Sequence, residues 1–199
     1  MTDARNIPGY TYGSPDLPPS PVSRETFEDL KKSVLFTEED IHHLRMSKAV
    51  LEDQVEDILD VWYGFVGANP HLLRYFSSPK TGQPDSHYLD AVRKRFGQWI
   101  LDTARAEYDD AWRAYQHEIG LRHHRTKKNR TDGADAAPYV PFCHLVALLY
   151  PITHTLRPFL AKKGHDPETV EKMHQAWTKS VLLQVILWSY PYVKEEDFQ

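Results

Sequence analysis

The chain has 199 residues and a mass of 23.2 kDa, the size of one domain with at most an appended arm. With 24 basic and 28 acidic residues, its formal net charge of −4 provides no basic field for binding nucleic acid. The single cysteine, Cys143, excludes an intramolecular disulfide framework and a Cys-rich zinc or iron–sulfur site. The sequence has no signal peptide and no apolar run long enough to span a membrane, so we expect a cytoplasmic protein.

The first 22 residues predict an irregular arm. Five of the 14 prolines lie there, where they remove backbone donors and fix the backbone dihedral φ. Tyr10 and Tyr12 are unusual in a purely solvated tail. We therefore expect residues 1–22 to pack on a body formed by residues 23–199, which the sequence predicts to be helical.

Apolar side chains recur at helical spacing from Ser23 onward. Ser23 is a predicted N-cap, and Thr37 followed by Asp40 is typical of a capping box. The long apolar stripe over residues 41–67 predicts two consecutive helices with a break near Lys48.

Prolines and capping residues divide the rest of the chain. Further helices are predicted over 70–76, from Asp85 or Ser86 to about Thr103, over 109–125, over 141–164 and from Pro167 to Tyr190. Pro151 and Pro158 predict kinks. Because no run of alternating β-branched residues is present, the predicted fold class is all-α, with seven or eight helices.

His123 is the residue that helical periodicity singles out for chemistry. It follows Tyr115 and Ile119 on one apolar stripe, whereas His124 is rotated by about 100° toward solvent. An imidazole that projects from a helix into an aromatic pocket can be the axial ligand of a haem iron. A core histidine satisfied by hydrogen bonds is the other interpretation of this pattern.

Aromatic residues at helical spacing predict an apolar pocket whose polar atoms are the Tyr63 hydroxyl and the Trp62 indole N–H. Packing in the core explains such rings equally well, so they indicate a gas site only if an iron ligand faces the same cavity. The residues concerned are Trp62, Tyr63, Phe65, Phe76, Val92, Phe96 and Trp99.

Two Glu-x-x-His motifs offer a different metal site. Glu39 with His42, and Glu171 with His174, have the spacing that di-iron carboxylate bundles use. Their side chains are predicted to lie about 100° away from the apolar stripes of their helices, which disfavours a shared site. Chance matches are also expected among 28 acidic residues and 11 histidines.

Two basic clusters are typical of solvated helix surfaces. The cluster over residues 122–130 could bind an anion, but it is most simply a solvated helix end. The second cluster is Arg93, Lys94 and Arg95. We expect Arg95 to pair with a haem propionate and the other two side chains to be solvated. Phosphate-binding loops, nucleophile elbows and His-Glu-x-x-His motifs do not occur in the sequence.

Several segments, in order along nearly the whole chain, resemble the protoglobin family. The resemblance includes the proline-rich arm and departs from the family pattern mainly at residues 4–6, 17–22 and 133–143. The segments are IPGYTYG (7–13), VLEDQVEDILDVWYGFVG (50–67), VRKRFGQWILDT (92–103), YQHEIGLRHHRTKKN (115–129), YPIT (150–153), RPFLAKKG (157–164) and LQVILWSYPYVK (183–194).

The resemblance implies a globin fold, in which three helices pack over three, with an extra N-terminal helix and an arm that helps to bury haem b. It implies that His123 is the proximal iron ligand and that Val92 stands where many globins have a distal histidine. The implied haem contacts are Trp62, Tyr63, Phe76, Val92, Phe96, Leu148 and Ile152. Among these, Tyr63, Trp62 and Phe96 also face the gas ligand.

The resemblance also implies reversible binding of O2, CO and NO by a homodimer that assembles through residues 141–163 and 167–190. We expect a gas sensor, carrier or scavenger without a dedicated catalytic site, which acts with a separate signalling or reductase partner and with neither nucleic acid nor membrane. A haem redox enzyme, such as an NO dioxygenase or a peroxidase, is the alternative, although no distal histidine is evident for acid–base catalysis. A non-haem di-iron bundle is the more distant alternative.

Overall fold

The computed structural model describes residues 7–198 of the chain, so residues 1–6 of the expected arm lie outside the described part. Its helices are α1 (Arg24–Ser33), α2 (Glu38–Leu51), α3 (Val55–Ala68), α4 (Pro70–Leu73), α5 (Ser86–Arg105), α6 (Asp110–His123), α7 (Phe142–Ala147), α8 (Leu149–Leu160), α9 (Pro167–Ser189) and α10 (Glu195–Phe198), with short 3-10 helices at Arg74–Phe76 and Tyr190–Tyr192. Within residues 7–198, β pairing is limited to an isolated bridge between Ser77 and Pro84. The all-α prediction is confirmed for this part of the chain. None of these helices has the length and hydropathy that crossing a bilayer requires.

Local capping determines where several helices begin. The Ser23 side chain accepts the N–H of Thr26 at 3.0 Å, and Thr37 and Asp40 form the predicted capping box at the start of α2. Asp166 caps α9, with a proline in the first turn as predicted. These helix starts are confirmed because they depend only on neighbouring residues.

The break between α2 and α3 falls at residues 52–54, slightly beyond the predicted position near Lys48. The buried side-chain amide of Gln54 donates to the carbonyl oxygen of Val50 at 2.6 Å and to that of Phe159 at 3.2 Å. It therefore caps the end of α2 and ties the break to α8. Helical periodicity cannot reveal a contact between residues so far apart in the chain.

Pro151 accounts for the division between α7 and α8. A proline there has no N–H to donate to the carbonyl of Ala147, and α7 ends at Ala147. Pro158 lies inside α8, which continues to Leu160. The predicted kink at Pro151 is thus a helix break, and the described chain contains more helices than the seven or eight predicted.

Helix α9 is the centre of the packing, since it contacts α2, α6, α7 and α8. Met173, Trp177 and Leu183 of α9 are fully buried in the core. At Gly120 of α6 the two helices approach so closely that a Cβ atom would lie 2.9 Å from the carbonyl oxygen of Trp188. Glycine at this position lets the end of α6 lie against the end of α9.

Arginine side chains hold the described part of the arm against the helices. Arg95 donates to the carbonyl oxygen of Pro8 at 2.8 Å, and Arg122 donates to that of Gly9 at 2.6 Å. Gly9 has a φ of +72°, and a Cβ atom there would lie 2.7 Å from both Arg95 Nη1 and Thr131 Cγ2. Only glycine suits this turn, both for its backbone conformation and for the space available.

Candidate functional site

A cavity of about 230 Å³ is lined mainly by aromatic and aliphatic side chains. The expected iron ligand, the expected propionate partner and the implied haem contacts all line this one cavity. They are Trp62, Tyr63, Phe76, Val92, Arg95, Phe96, His123, Leu148 and Ile152. Helices α3, α5, α6 and α8, with the short segments that precede α5 and α8, bring these residues together.

His123 is the last residue of α6, on the same face as the cavity-lining residues Tyr115 and Ile119. Its Nδ1 donates to the carbonyl oxygen of Ile119 at 2.8 Å, because a carbonyl can only accept. Burial lowers the pKa of the imidazole, so the ring is neutral near pH 7. Within residues 7–198 its Nε2 has no hydrogen-bond partner. A neutral imidazole with a free Nε2 lone pair can coordinate a transition metal.

Trp188 of α9 fixes the plane of the His123 ring. The two rings are stacked, with centroids 5.6 Å apart and an interplanar angle of 11°. The indole N–H of Trp188 donates to Gln116 at 2.8 Å, which holds the indole in place. Sequence reasoning missed Trp188 because its contact with His123 joins two helices that are distant in the sequence.

Tyr63 presents a second free polar group of the cavity lining. Burial raises the pKa of its hydroxyl, which therefore stays protonated, and no hydrogen-bond partner for this hydroxyl is found within residues 7–198. The ring packs against Phe76, and the Arg93 guanidinium carbon lies 5.5 Å from the ring centroid. Tyr63 can donate a hydrogen bond to a ligand in the cavity.

A series of ring contacts forms the neighbouring part of the lining. Trp62 packs edge-on against Phe96 with centroids 5.8 Å apart, and Phe96 packs on Trp99 at 5.4 Å. Phe65, which was grouped with these rings by sequence spacing, packs on Trp62 but lies outside the cavity lining. The predicted aromatic pocket is therefore wrong for Phe65, whereas the other predicted rings line the cavity.

Charged side chains line another part of the cavity. Arg95 forms a two-pronged ion pair with Asp132, at 2.9 and 2.7 Å, and both side chains are largely buried. Arg122 donates to Glu118 at 2.7 Å. Arg95 reaches the cavity as expected, but its principal partner in the protein is Asp132, a residue that sequence reasoning did not identify.

Lys128 corrects the interpretation of residues 122–130 as a solvated helix end. It lines the cavity and is only 6 % exposed, and Arg122 is also mostly buried. The Lys128 ammonium donates to the Tyr88 hydroxyl at 2.6 Å and to the carbonyl oxygen of Tyr75 at 3.0 Å. Burial lowers its pKa to about 8. The solvated interpretation is wrong because the chain after α6 packs against α5, where Lys128 meets Tyr88 and Asp132 meets Arg95. Helical periodicity does not reveal such a contact.

The di-iron motifs do not come together. In the described part of the chain, no cluster of three or more Asp, Glu, His or Cys side chains could hold a metal ion. Glu171 binds Arg157 and Gln175, while His174 contacts the carbonyl oxygen of Thr153 at 2.9 Å. Glu171 and His174 thus make contacts between α8 and α9.

Comparison with known proteins agrees with this geometry. A family model described as Protoglobin matches residues 23–198, a range that contains every residue of the cavity lining. No curated protein shows significant similarity to the chain. The family match and the all-α architecture together establish the globin fold that the sequence predicts.

Proposed function

Because the chain belongs to the protoglobin family, we propose that it binds haem b in the cavity, with His123 as the proximal ligand of the iron. Ferrous haem would then bind O2, CO or NO reversibly. The observation that carries this proposal is the state of His123, whose neutral ring is oriented through Nδ1 and has a free Nε2 at the cavity. Orientation through the second ring nitrogen is the arrangement that metal-binding histidines use.

The chemistry of the remaining lining suits an apolar macrocycle that carries two carboxylates. Rings and aliphatic side chains make up most of the lining, whereas Arg95, Arg122 and Lys128 supply cations in one part of it. Each guanidinium has five N–H donors, so both arginines retain donors after their hydrogen bonds to the acidic partners and to the arm. These donors would hold the propionates of haem.

Tyr63 is the side chain best suited to stabilise a polar diatomic ligand. Its protonated hydroxyl can donate a hydrogen bond, and Trp62 and Phe96 line the same cavity. Val92 lines the cavity without offering a donor. A pocket with so few donors favours CO, which is less polar than O2 when bound, more than a pocket with a distal histidine does.

Substitution of His123 tests the proposal. We expect His123→Ala to abolish normal haem uptake, because the iron loses its protein ligand, as measured by visible absorption spectra during haem titration. His124→Ala is the matched control, since His124 is the neighbouring imidazole and binds Thr126 instead of lining the cavity. An unchanged visible spectrum for His123→Ala would refute the ligand assignment, provided that circular dichroism confirms folding.

A homodimer formed through residues 141–163 and 167–190 is part of the proposal. Phe142 and Val146, four residues apart on α7, are exposed. Tyr150 of α8 and Leu182 of α9 are exposed as well. Exposed apolar side chains on these helices favour an interface. Sedimentation equilibrium measures the assembly, and a monomer at micromolar concentration would argue against it.

The role that these features favour is that of a cytoplasmic gas sensor, carrier or scavenger with a separate signalling or reductase partner. Val92 and the surrounding rings provide reversible binding but no proton-transferring pair beside the ligand. We expect no sustained turnover of NO in the presence of a reductant. Multiple-turnover assays measure this, and rapid turnover would favour the alternative of a haem redox enzyme.

A further inference from the structure

Three tyrosine rings form a continuous path from the cavity to the arm. Tyr115 of α6 lines the cavity and is almost completely buried. Its ring centroid lies 5.4 Å from that of Tyr10 and 5.5 Å from that of Tyr12. Tyr10 and Tyr12 are partly exposed, with ring centroids 6.4 Å apart. The arm therefore places two phenols at the surface, each in contact with a phenol of the cavity lining.

Each of the arm tyrosines donates its hydroxyl proton to a carboxylate. The Tyr10 hydroxyl lies 2.6 Å from Asp102 of α5, and the Tyr12 hydroxyl lies 2.9 Å from Glu107. A phenol that loses an electron becomes a strong acid, so its oxidation is easiest where a hydrogen-bonded base accepts the proton. Burial raises the pKa of Asp102, which makes this carboxylate a better proton acceptor, and the exposed Glu107 can pass a proton to solvent.

We propose that Tyr115, Tyr10 and Tyr12 form a relay that carries oxidising equivalents out of the cavity when hydrogen peroxide reacts with haem there. This inference rests on the proposed function, because peroxide must be reduced at a haem in the cavity. The relay would protect the cavity lining, because oxidation would occur on arm tyrosines that do not line the cavity.

The electron and proton balance of the relay is complete. Hydrogen peroxide is reduced to two molecules of water by two electrons and two protons. Tyr10 gives up one electron and transfers its hydroxyl proton to Asp102, while Tyr12 gives up the other electron and transfers its proton to Glu107. The electrons tunnel through the Tyr115 ring, which keeps its own hydroxyl proton because no base is hydrogen-bonded to it among the described residues. Asp102 and Glu107 pass their protons to solvent and so replace the two protons that peroxide reduction takes up. The products are two water molecules and two phenoxyl radicals.

A second series of rings, all tryptophans, also leads away from the cavity, but it has neither an exposed end nor a hydrogen-bonded carboxylate. Trp188 contacts Trp99 at 6.1 Å, and Trp99 contacts Trp177 at 6.3 Å, but Trp177 is only 1 % exposed. The indole N–H groups of Trp99 and Trp177 donate to the Gln184 amide and the Ser47 hydroxyl, which are not bases. The tryptophan series therefore leads into the core and offers no proton acceptor.

The test is to locate radicals in the haem-loaded protein after hydrogen peroxide is added in the presence of a nitroso spin trap. Peptide mass spectrometry should find trap adducts on Tyr10 and Tyr12, and haem-free protein should give none. Tyr115→Leu, which removes the ring that contacts both arm tyrosines, should lose the adducts at both positions and bleach haem faster, whereas Tyr115→Phe, which keeps the ring, should retain the adducts. Asp102→Asn should lose the adduct at Tyr10 while keeping that at Tyr12, because only the base of Tyr10 has been removed.

Tyr139→Phe is the matched control. Tyr139 resembles Tyr12 in having an arginine over its ring, Arg125 at 4.6 Å, but it does not line the cavity. Its substitution should leave the adducts on Tyr10 and Tyr12 unchanged. The visible spectrum separates the two proposals, because failure to take up haem contradicts the proposed function. Retained haem without arm adducts, or adducts that persist in Tyr115→Leu, would overturn the relay alone.

Discussion

The cavity has two contrasting parts, an apolar wall and a polar rim. The wall consists of the aromatic and aliphatic lining residues together with Tyr63 and His123. Its Tyr63 hydroxyl and His123 Nε2 have no hydrogen-bond partner in the described chain. In the rim, formed by Arg95, Arg122 and Lys128 with their partners, each cation is already hydrogen-bonded within the protein. A polar atom that faces a cavity and has no partner within the protein is available to hydrogen-bond or coordinate a ligand. The contrast is that the wall leaves polar atoms available to a ligand, whereas the rim cations also hold the arm and the loop after α6.

The largest effect on the free energy of unfolding is expected at Gly120, where α6 and α9 approach each other closely beside His123. Gly120→Ala places a Cβ atom 2.9 Å from the backbone of Trp188, so α6 and α9 must separate and His123 must shift. We expect the free energy of unfolding to fall by about 2 kcal/mol, as overpacking in a core does. Urea denaturation measures this loss.

Gly64→Ala is the matched control for this change. A Cβ atom at Gly64, which is exposed on α3, meets no atom within 4 Å. Alanine should raise the stability there by up to about 1 kcal/mol, because it is the better helix former. If Gly120→Ala were as well tolerated as Gly64→Ala, the close approach of α6 and α9 would not be needed to position the wall.

A smaller effect is expected at the free hydroxyl of the wall. Tyr63→Phe removes the donor while keeping the ring, so O2 should be released about tenfold faster, which corresponds to about 1.4 kcal/mol. CO release should change much less, since bound CO is less polar than bound O2. Stopped-flow measurement of both dissociation rates on the haem-loaded protein checks this. Equal acceleration for the two gases would exclude a hydrogen-bonding role for Tyr63.

The smallest effect is expected at the rim, where Lys128 titrates. Its pKa is about 8 in the folded protein, compared with 10.5 for an ordinary lysine, so the unfolded chain binds more protons between these pH values. Stability therefore rises with pH in this window, because deprotonation relieves the burial of a charge. Relative to Lys128→Met, the unmodified protein should gain about 1 kcal/mol in unfolding free energy between pH 7 and pH 9.

Urea denaturation at the two pH values measures that gain. Lys80→Met serves as the control, because the Lys80 side chain is 81 % exposed and should contribute no such difference. A parallel pH dependence in the unmodified protein and Lys128→Met would mean that the Lys128 ammonium is not buried in solution.

Sequence patterns predicted the wall better than the rim. The spacing of Tyr115, Ile119 and His123 placed all three on one face of α6, and that face lines the cavity. Periodicity succeeds here because the residues share one helix. At the rim the same reasoning failed for Lys128, which looked like part of a solvated helix end and is instead buried against Tyr88.

The sequence by itself determined the local features of this protein: the all-α class, the caps at Ser23 and Asp166, and the inward face that carries His123. These depend on side chains within a few residues of one another, so short-range hydrogen bonding and helical periodicity suffice. Tertiary structure alone decided that Trp188 stacks on His123 and that Asp132 pairs with Arg95. Such contacts join segments far apart in the chain, and they form only when the core brings the helices together.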